Sequence, residues 1–216
     1  MDQIPEEIRK QIIEGKKRRI EQHHRLNLVC KKGQIVMAGS SLMEGFPVTE
    51  MAQGHGVTLA IYNRAISGDT LDGQLERMDT TFWELEPSKV FINIGTNDIS
   101  APDYDREVLF EKYAQVLSQI KERLPECKVY VLAYYPVNRT EKFNTAWFGA
   151  RTNEELEIVN ARLPELAARF GYEFIDVFTP LRGPDGNLPA EVTADGMHMY
   201  PVGYKPVLDI LLPYMR

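Results

Sequence analysis

Two adjacent hydroxyl side chains, Ser40 and Ser41, directly follow the apolar run at residues 35–39, which reads IVMAG. A run of this length is typical of a strand that is covered on both faces, and the glycine at its end permits a sharp turn. A serine at such an exit can act as a nucleophile when a general base takes its proton. The same pattern also fits an ordinary turn that caps a helix, and it does not favour one serine over the other.

The histidine best suited to act as that base is His198, which follows Asp195 by three positions. Across a tight turn this spacing lets the carboxylate accept a hydrogen bond from the imidazole Nδ1, so that Nε2 is left to take a proton from serine. The alternative is a structural histidine that caps the last helix. The other histidines are less suited, since His23 and His24 fall in a predicted helix and His55 lies in a Gly-His-Gly turn.

Strands and helices are predicted to alternate along the chain, and this alternation defines the fold that must position these side chains. The predicted strands lie at residues 35–41, 57–65, 89–94, 128–134 and 172–178, and the predicted helices at 5–28, 45–53, 69–83, 105–124, 152–170 and 202–212. Such alternation indicates βαβ units, so we expect an α/β fold, a three-layer α/β/α sandwich with a five-stranded parallel sheet. The flavodoxin-like strand order 2-1-3-4-5 would place the ligand crevice between the ends of strands one and three.

Polar, glycine-containing loops stand at the ends of the first three predicted strands. The first strand ends at the two serines, the second at residues 67–69 (SGD) and the third at residues 95–98 (GTND). Because the carboxyl ends of parallel strands meet at one edge of a sheet, we expect Gly68 and Asn97 to lie near the serines. For the aspartates of these loops, Asp69 and Asp98, we expect only helix capping.

Four short blocks together resemble the SGNH hydrolases, the superfamily of GDSL-type esterases and lipases, and most closely its platelet-activating-factor acetylhydrolase-like branch. The blocks are residues 38–42 (AGSSL), 63–70 (NRAISGDT), 94–98 (IGTND) and 195–198 (DGMH), in the order that the superfamily has. The resemblance implies a serine hydrolase that cleaves carboxylic esters, either acyl esters or O-acetyl groups, through an acyl-enzyme. It also implies small-molecule ester substrates and no metal or organic cofactor.

The resemblance implies a role for individual positions. Ser41 matches the nucleophile, His198 the general base and Asp195 the carboxylate that supports the base. The matching oxyanion hole consists of the backbone amides of Ser41 and Gly68 and the side-chain amide of Asn97. Together these residues would form a complete site for acyl transfer to water.

One position departs from the family pattern. The first block of the family usually reads Gly-Asp-Ser, and in this chain Ser40 replaces the aspartate. That aspartate is not the acid of the triad, so we expect activity to survive. The replacement affects the hydrogen bonding of the turn in a way that the sequence does not define.

The long connection between the fourth strand and the next helix is expected to form part of the substrate site. It runs over residues 134–151 and carries Tyr135, Trp147 and Phe148. Connections of this length are often binding walls or lids, so we expect these aromatic side chains to border the acyl or alcohol site. The alternative is that Trp147 and Phe148 fix the loop to the core or to another subunit.

The charge of the chain argues against nucleic acid as a partner. The formal net charge is -6 and the pI is near 5.3, whereas binding to a polyphosphate needs clustered cations. The one basic run, residues 16–19 (KKRR), lies among helix formers, and we expect it to be a solvated helix face.

Cysteine use and hydropathy predict a reducing compartment, with the cytoplasm as the default. Cys30 and Cys127 are too few for a disulfide framework and lack the spacing of a zinc site. The acidic opening at residues 1–7 does not fit a secretory signal, and the chain has no run of about 18 apolar residues as a membrane span needs.

We expect a single domain in which residues 1–30 form an amphipathic helical extension and residues 31–216 form the hydrolase domain. The helix at residues 5–28 is also a reasonable surface for a homodimer.

Two other function classes remain open. One is a non-catalytic carbohydrate- or lipid-binding module on the same scaffold. The other is a phosphate- or flavin-binding flavodoxin-like protein, although the chain lacks a glycine-rich phosphate cradle. The sequence does not choose among acetylated sugars, short-chain esters, thioesters and lysophospholipids.

Overall fold

The computed structural model describes residues 6–216 and shows a five-stranded, all-parallel sheet in the order β2-β1-β3-β4-β5. The strands are β1 Ile35–Gly39, β2 Ile61–Asn63, β3 Lys89–Asn93, β4 Lys128–Leu132 and β5 Glu173–Ile175. The α/β class and the predicted strand order are therefore confirmed. Because β1 pairs with both β2 and β3, the loops that follow these three strands meet at one edge of the sheet.

The helices connect and cover the strands. They are α1 Glu6–Asn27, α2 Ser41–Glu44, α3 Val48–Met51, α4 Leu71–Glu76, α5 Thr96–Ile99, α6 Arg106–Arg123, α7 Asn153–Arg169 and α8 Lys205–Met215. A π-helical turn covers Asp79–Trp83, and short 3-10 turns lie at Ala146–Phe148, Thr179–Leu181, Ala190–Val192 and Pro201–Tyr204. Residues 1–5, which include the start of the first predicted helix at Pro5 and the first part of the acidic opening, lie outside the described residues.

The helices pack on both faces of the sheet, as right-handed crossovers between parallel strands require. On one face α4, α6 and α7 lie side by side, and α6 carries Tyr113, which is fully buried. On the other face α8 presents Tyr214, which contacts the ring of Tyr130 edge-on at 5.1 Å between centroids. Tyr130 in turn stacks on Phe91 of the neighbouring strand at 4.7 Å. The apolar strands are thus covered on both sides, which explains their continuous apolar sequence.

Two predicted helices are broken in the structure. The helix predicted over residues 69–83 is divided into α4 and the π-helical turn, because Arg77 leaves the helical conformation at φ -122° and ψ 26°. Its buried guanidinium is held inside by the carbonyl oxygens of Gly39 and Arg64. The helix predicted over residues 45–53 is replaced by α2 and α3, which flank Pro47, a residue without an amide hydrogen to donate.

Helix α1 is packed against the domain along only part of its length. Near its end, the Asn27 side chain donates to the Thr80 carbonyl oxygen at 2.8 Å and to the Glu84 carboxylate at 2.7 Å. At its beginning Ile8, Ile12 and Ile13 are exposed. The helix therefore has a docked C-terminal half and an N-terminal half whose apolar side chains face solvent.

Candidate active site

The end of β1 delivers Ser41 to the edge of the sheet where the polar loops meet. Gly39 precedes it at φ 154°, and a Cβ there would overlap the carbonyl oxygen of Asn93 on β3, so only glycine permits this approach. Ser41 begins α2 and is half-buried. Ser40 is fully buried, and its Oγ has no hydrogen-bond partner among the described residues. The structure thus directs one serine outward and the other into the protein.

Ser41, His198 and Asp195 lie in one hydrogen-bonded row. Ser41 Oγ is 2.8 Å from His198 Nε2, and His198 Nδ1 is 2.6 Å from Asp195 Oδ2. With the Nδ1 proton directed to the carboxylate, Nε2 is the nitrogen that can accept the serine proton. This arrangement has the geometry of a nucleophile, a general base and an orienting acid.

The carboxylate is fixed by its own loop. Asp195 Oδ1 accepts hydrogen bonds from the backbone amides of Met197 at 2.9 Å and His198 at 2.8 Å. Partial burial raises the pKa of Asp195, but the hydrogen bonds from the His198 ring and from the two amides outweigh it and hold the pKa below its usual value. Asp195 is therefore ionised at neutral pH, as a partner of a protonated imidazole must be.

The loop that carries the histidine is closed by residues that the sequence interpretation missed. Thr193 Oγ1 donates to the His198 carbonyl oxygen at 2.8 Å and accepts from the Gly196 amide at 3.0 Å. The Gly196 carbonyl oxygen accepts from the Asn138 amide at 2.7 Å. No short sequence motif identifies Thr193 or Asn138, because their role depends on a contact between distant segments.

Gly68 and Asn97 lie on the two loops that flank Ser41. Gly68 is exposed at φ 73°, and among the described residues its amide donates to no acceptor. The Asn97 side chain donates from Nδ2 to the Asp69 carbonyl oxygen at 2.7 Å. Because an amide group carries two hydrogens, Asn97 retains a second one for a ligand. The two loops are thus joined to each other, and each offers an N–H donor.

Asp69 is a buried ion-pair partner and does not cap a helix as expected. Its carboxylate lies 2.5 Å from Arg77 Nε and 2.5 Å from Lys16 Nζ, and its side chain is fully buried. Thr70 Oγ1 caps α4 instead by accepting from the Gly73 amide at 3.2 Å. The expectation for Asp69 was wrong because the sequence does not show that α1 supplies a cation to this loop.

A second ion pair joins α1 to the same loop. Glu44 at the end of α2 accepts from the Ser67 amide at 2.8 Å and from the Ser67 hydroxyl, and it pairs with Arg19 of α1. Partial burial raises the pKa of Glu44, but the bonds from Ser67 and Arg19 outweigh it and lower the pKa. The prediction of a solvated face at residues 16–19 is therefore wrong for Lys16, whose side chain reaches a buried carboxylate. It fits residues 17–19, which are exposed, although Arg19 also pairs with Glu44.

A family model of the GDSL-like lipases and acylhydrolases matches residues 37–205, a span that contains all of the residues above except those of α1. The chain belongs to this family. Family membership makes it a carboxylic ester hydrolase and confirms the resemblance drawn from the four sequence blocks.

Several solved structures have the same fold as this chain. A protein from Streptococcus pneumonia, described as a candidate platelet activating factor, has a TM-score of 0.89 at 26% identity, with 98% of this chain and 97% of that chain covered. A GDSL-like lipase from Bacteroides thetaiotaomicron has a TM-score of 0.75 at 21% identity, with 91% of this chain and 96% of that chain covered. An acetyl xylan esterase has a TM-score of 0.67 at 17% identity, with coverages of 84% and 98%. A search of curated proteins gave no match.

Of the aromatic residues expected at the substrate site of this GDSL-like hydrolase, only Trp147 lies beside the triad. Its ring lies nearly parallel to the His198 ring, with an interplanar angle of 15° and 6.1 Å between the ring centroids, and Trp147 is 49% exposed. Phe148 is fully buried and packs edge-on against Trp147 at 4.8 Å. Tyr135 is buried as well, with its ring against Tyr204. Tyr135 and Phe148 therefore belong to the core and hold the loop in place.

Two further searches covered the described part of the chain. Within residues 6–216 no helix is long and apolar enough to cross a membrane. In the same part of the chain, no group of histidine, cysteine, aspartate and glutamate side chains has the arrangement of a metal site.

Proposed function

We propose that the enzyme hydrolyses small carboxylic esters through a covalent acyl-enzyme on Ser41. The row of contacts from Ser41 Oγ to His198 Nε2 and from His198 Nδ1 to Asp195 carries this proposal. In the first step Ser41 Oγ attacks the ester carbonyl carbon while His198 takes its proton, and Asp195 stabilises the imidazolium that forms. The same imidazolium then gives its proton to the departing alcohol.

Negative charge develops on the carbonyl oxygen during each attack, and three N–H groups are available to receive it. They are the Ser41 amide, the Gly68 amide and the second side-chain hydrogen of Asn97. Donors that are held in place before the reaction stabilise this charge without reorganisation, and losing one typically costs about 100- to 1,000-fold in turnover. Water activated by His198 completes the cycle by releasing the acid and restoring Ser41.

We propose that the alcohol part of the substrate lies against Trp147. This side chain is the exposed aromatic residue beside His198, so it can cover a flat ring next to the reacting ester. An O-acetyl group on a sugar or another short acyl ester fits such an open wall. The structural similarity to an acetyl xylan esterase supports the same class of substrate.

Labelling with a fluorophosphonate tests the nucleophile directly, because this reagent forms a stable adduct with activated serines. We expect the adduct on Ser41 in the wild type, none in Ser41→Ala, and an unchanged site of labelling in the matched variant Ser40→Ala. An intact, folded protein that gives no adduct would favour the non-catalytic binding module instead.

We further propose that the chain forms a homodimer through the first half of α1. Ile8 and Ile12 are exposed there at 47% and 56%, which is unfavourable for side chains on an isolated helix. The acidic first turn, Glu6 and Glu7, and the exposed cations at residues 17–18 complement each other in an antiparallel pair of helices. Sedimentation should show a dimer that Ile12→Lys converts to a monomer, whereas the control Ile158→Lys on α7 should leave it intact.

The compartment in which the enzyme acts is a separate proposal. Cys30 and Cys127 are both free thiols, which suits a reducing environment such as the cytoplasm. Fractionation of cells that express the chain would test this placement, and recovery of the enzyme only from the extracellular medium would contradict it.

A further inference from the structure

Arg151 is a buried cation whose hydrogen-bond partners in the described residues are all uncharged. It lies at the end of the long loop, directly before α7, and is only 1% exposed. Its Nη2 donates to the Thr96 carbonyl oxygen and, at 3.2 Å, to Asn97 Oδ1, while Nη1 contacts Met197 Sδ. Its Nε has no partner among residues 6–216. An ion that is buried in this way is costly unless a counter-charge is present, so this position calls for a physical explanation.

The first consequence of this position concerns the orientation of the Asn97 amide. Its oxygen accepts from the Arg151 guanidinium, and its nitrogen donates to the Asp69 carbonyl oxygen. A rotated amide would place its NH2 group against the guanidinium and its oxygen against a carbonyl oxygen, so both contacts would become repulsive. Arg151 thus selects the orientation in which Asn97 presents an N–H toward the site.

The second consequence is electrostatic. A hydrogen bond donated by a cation to the amide oxygen polarises the amide and strengthens its N–H groups as donors. Among the described residues no carboxylate pairs with Arg151 in the resting enzyme, while an anion forms at the oxyanion hole during each attack on the ester. The groups that favour its protonated form are Tyr134, Asp98 and Asp195, none of which pairs with it. Burial lowers the pKa of Arg151 to about 9, so the guanidinium is protonated at neutral pH.

The third consequence is that one side chain touches both halves of the catalytic site. Thr96 and Asn97 belong to the oxyanion loop, whereas Met197 belongs to the loop of the base, and its backbone amide donates to Asp195. Arg151 therefore connects the loop that receives the negative charge with the loop that moves the proton.

We propose that Arg151 is a positioning residue of the oxyanion hole, which orients the Asn97 amide and reinforces it with a positive charge that is balanced when the oxyanion forms. This inference rests on the proposed ester hydrolysis. The proposal predicts an effect on the chemical step. The carbonyl oxygen of the bound substrate carries no full charge, so the cation stabilises it less than it stabilises the oxyanion.

A double-mutant cycle between Arg151 and Asn97 tests the proposal, with 4-nitrophenyl acetate as substrate. The variants are Arg151→Met, Arg151→Lys, Asn97→Ala and Arg151→Met with Asn97→Ala. The control is Arg169→Met, which removes an exposed arginine from α7. Circular dichroism and thermal unfolding verify that each variant is folded, and kcat and KM are measured separately.

We expect Arg151→Met to lower kcat by about 100-fold, as for loss of an oxyanion donor, with KM changed less than about threefold. Arg151→Lys should recover part of kcat because it retains the charge, and Arg169→Met should match the wild type. In the Asn97→Ala background, Arg151→Met should lower kcat by less than about threefold, since the group through which it acts is gone.

Two results would overturn the inference. One is a folded Arg151→Met enzyme with the kcat of the wild type, and the other is a double mutant in which the two losses simply multiply. If Arg151→Met does not fold, Arg151→Lys takes its place in the same double-mutant cycle. The shorter amine of lysine cannot keep the hydrogen bonds to both Thr96 and Asn97, so this variant still tests whether Arg151 acts through Asn97. Failure of the underlying function is recognised separately, since the wild type would then show no esterase activity that Ser41→Ala removes.

Discussion

Lys16 in the N-terminal helix lies 2.5 Å from the buried carboxylate of Asp69, a residue of the loop that carries Gly68. The backbone carbonyl oxygen of that same aspartate accepts the hydrogen bond from Asn97. The helix that begins the chain is therefore connected to the proposed oxyanion hole by two consecutive contacts, although the family match does not include it.

Removing this contact should affect both stability and turnover. In Lys16→Met, Asp69 keeps only Arg77 as an ion-pair partner, and we expect a loss of about 1–3 kcal/mol in the free energy of unfolding for a buried charge that has lost one partner. We also expect kcat to fall by roughly 10-fold because the Gly68 loop loses its support. Urea unfolding and steady-state kinetics measure the two effects. The adjacent, exposed Lys17→Met is the control, and equal values for both variants would contradict the role of α1.

The second prediction concerns Ser40, whose buried hydroxyl has no hydrogen-bond partner among the described residues. A buried polar group without a partner is destabilising, so Ser40→Ala should raise the free energy of unfolding or leave it unchanged, with a gain of up to about 1 kcal/mol. Esterase activity should be retained within about threefold, since Ser41 stays in place. A marked loss of stability in urea unfolding would show that the hydroxyl is bonded in solution.

The third prediction concerns the pH dependence of stability at Asp98. Burial raises its pKa from 3.8 to about 6, and the hydrogen bond from the Leu71 amide and the charge of Lys112 only partly oppose this. A raised pKa means that the folded state binds the proton more tightly than the unfolded state, so stability falls as the pH rises from about 4 to about 6.

Asp98→Asn should remove this dependence while it keeps an oxygen that can accept from Leu71. Relative to the variant, the wild type should lose on the order of 2 kcal/mol between pH 4 and pH 6 in urea unfolding. Asp79→Asn is the matched control, since that side chain is 76% exposed and is not among the groups that shift the pKa of Asp98. Parallel pH profiles for the wild type and Asp98→Asn would contradict the raised pKa.

The fourth prediction concerns Trp147 as the wall of the substrate site. Trp147→Ala should raise KM by roughly 10-fold for acetate esters of sugars or aromatic alcohols, in line with the loss of one aromatic contact. For methyl acetate, which has no ring to cover, KM should change much less. Trp83→Ala provides the control, because Trp83 ends the π-helical turn and its ring lies against Arg123 of α6, neither of which is a residue of the proposed site. An equal rise in KM for ring and methyl esters would show that Trp147 does not contact the alcohol.

The sheet could be predicted from local periodicity, and the contacts among Ser41, His198 and Asp195 could be expected from short motifs that resemble a known family. Most strands are short apolar runs. Gly39 ends β1, and Gly68 and Asn97 lie in the segments that follow β2 and β3, where topology alone brings them together. The spacing of Asp195 and His198 likewise lies within one turn. Periodicity and short motifs therefore carry the information that defines these features.

The features that were missed depend on contacts between distant segments. The run at residues 16–19 looks like a uniform charged face, and only the packing of α1 distinguishes Lys16, which reaches Asp69, from Lys17, which is exposed. Arg77 ends α4 early because its guanidinium binds Gly39 at the end of β1 and Asp69 in the loop that follows β2. Similarly, Tyr135 is an aromatic residue of the kind that often lines binding sites, but its side chain is buried in the core. Neither burial nor partner is encoded in a short window of sequence.

Rapid-quench kinetics combined with mass spectrometry of the acyl-enzyme tests the central claim most directly. With excess 4-nitrophenyl acetate, we expect a stoichiometric burst of nitrophenol and an acetyl group on the peptide that contains Ser41, trapped by quenching with acid. Ser41→Ala should abolish both the burst and the adduct, whereas Ser40→Ala should retain them. Continued hydrolysis by folded Ser41→Ala, or an acetyl group located on another residue, would contradict the assignment of Ser41 as the nucleophile.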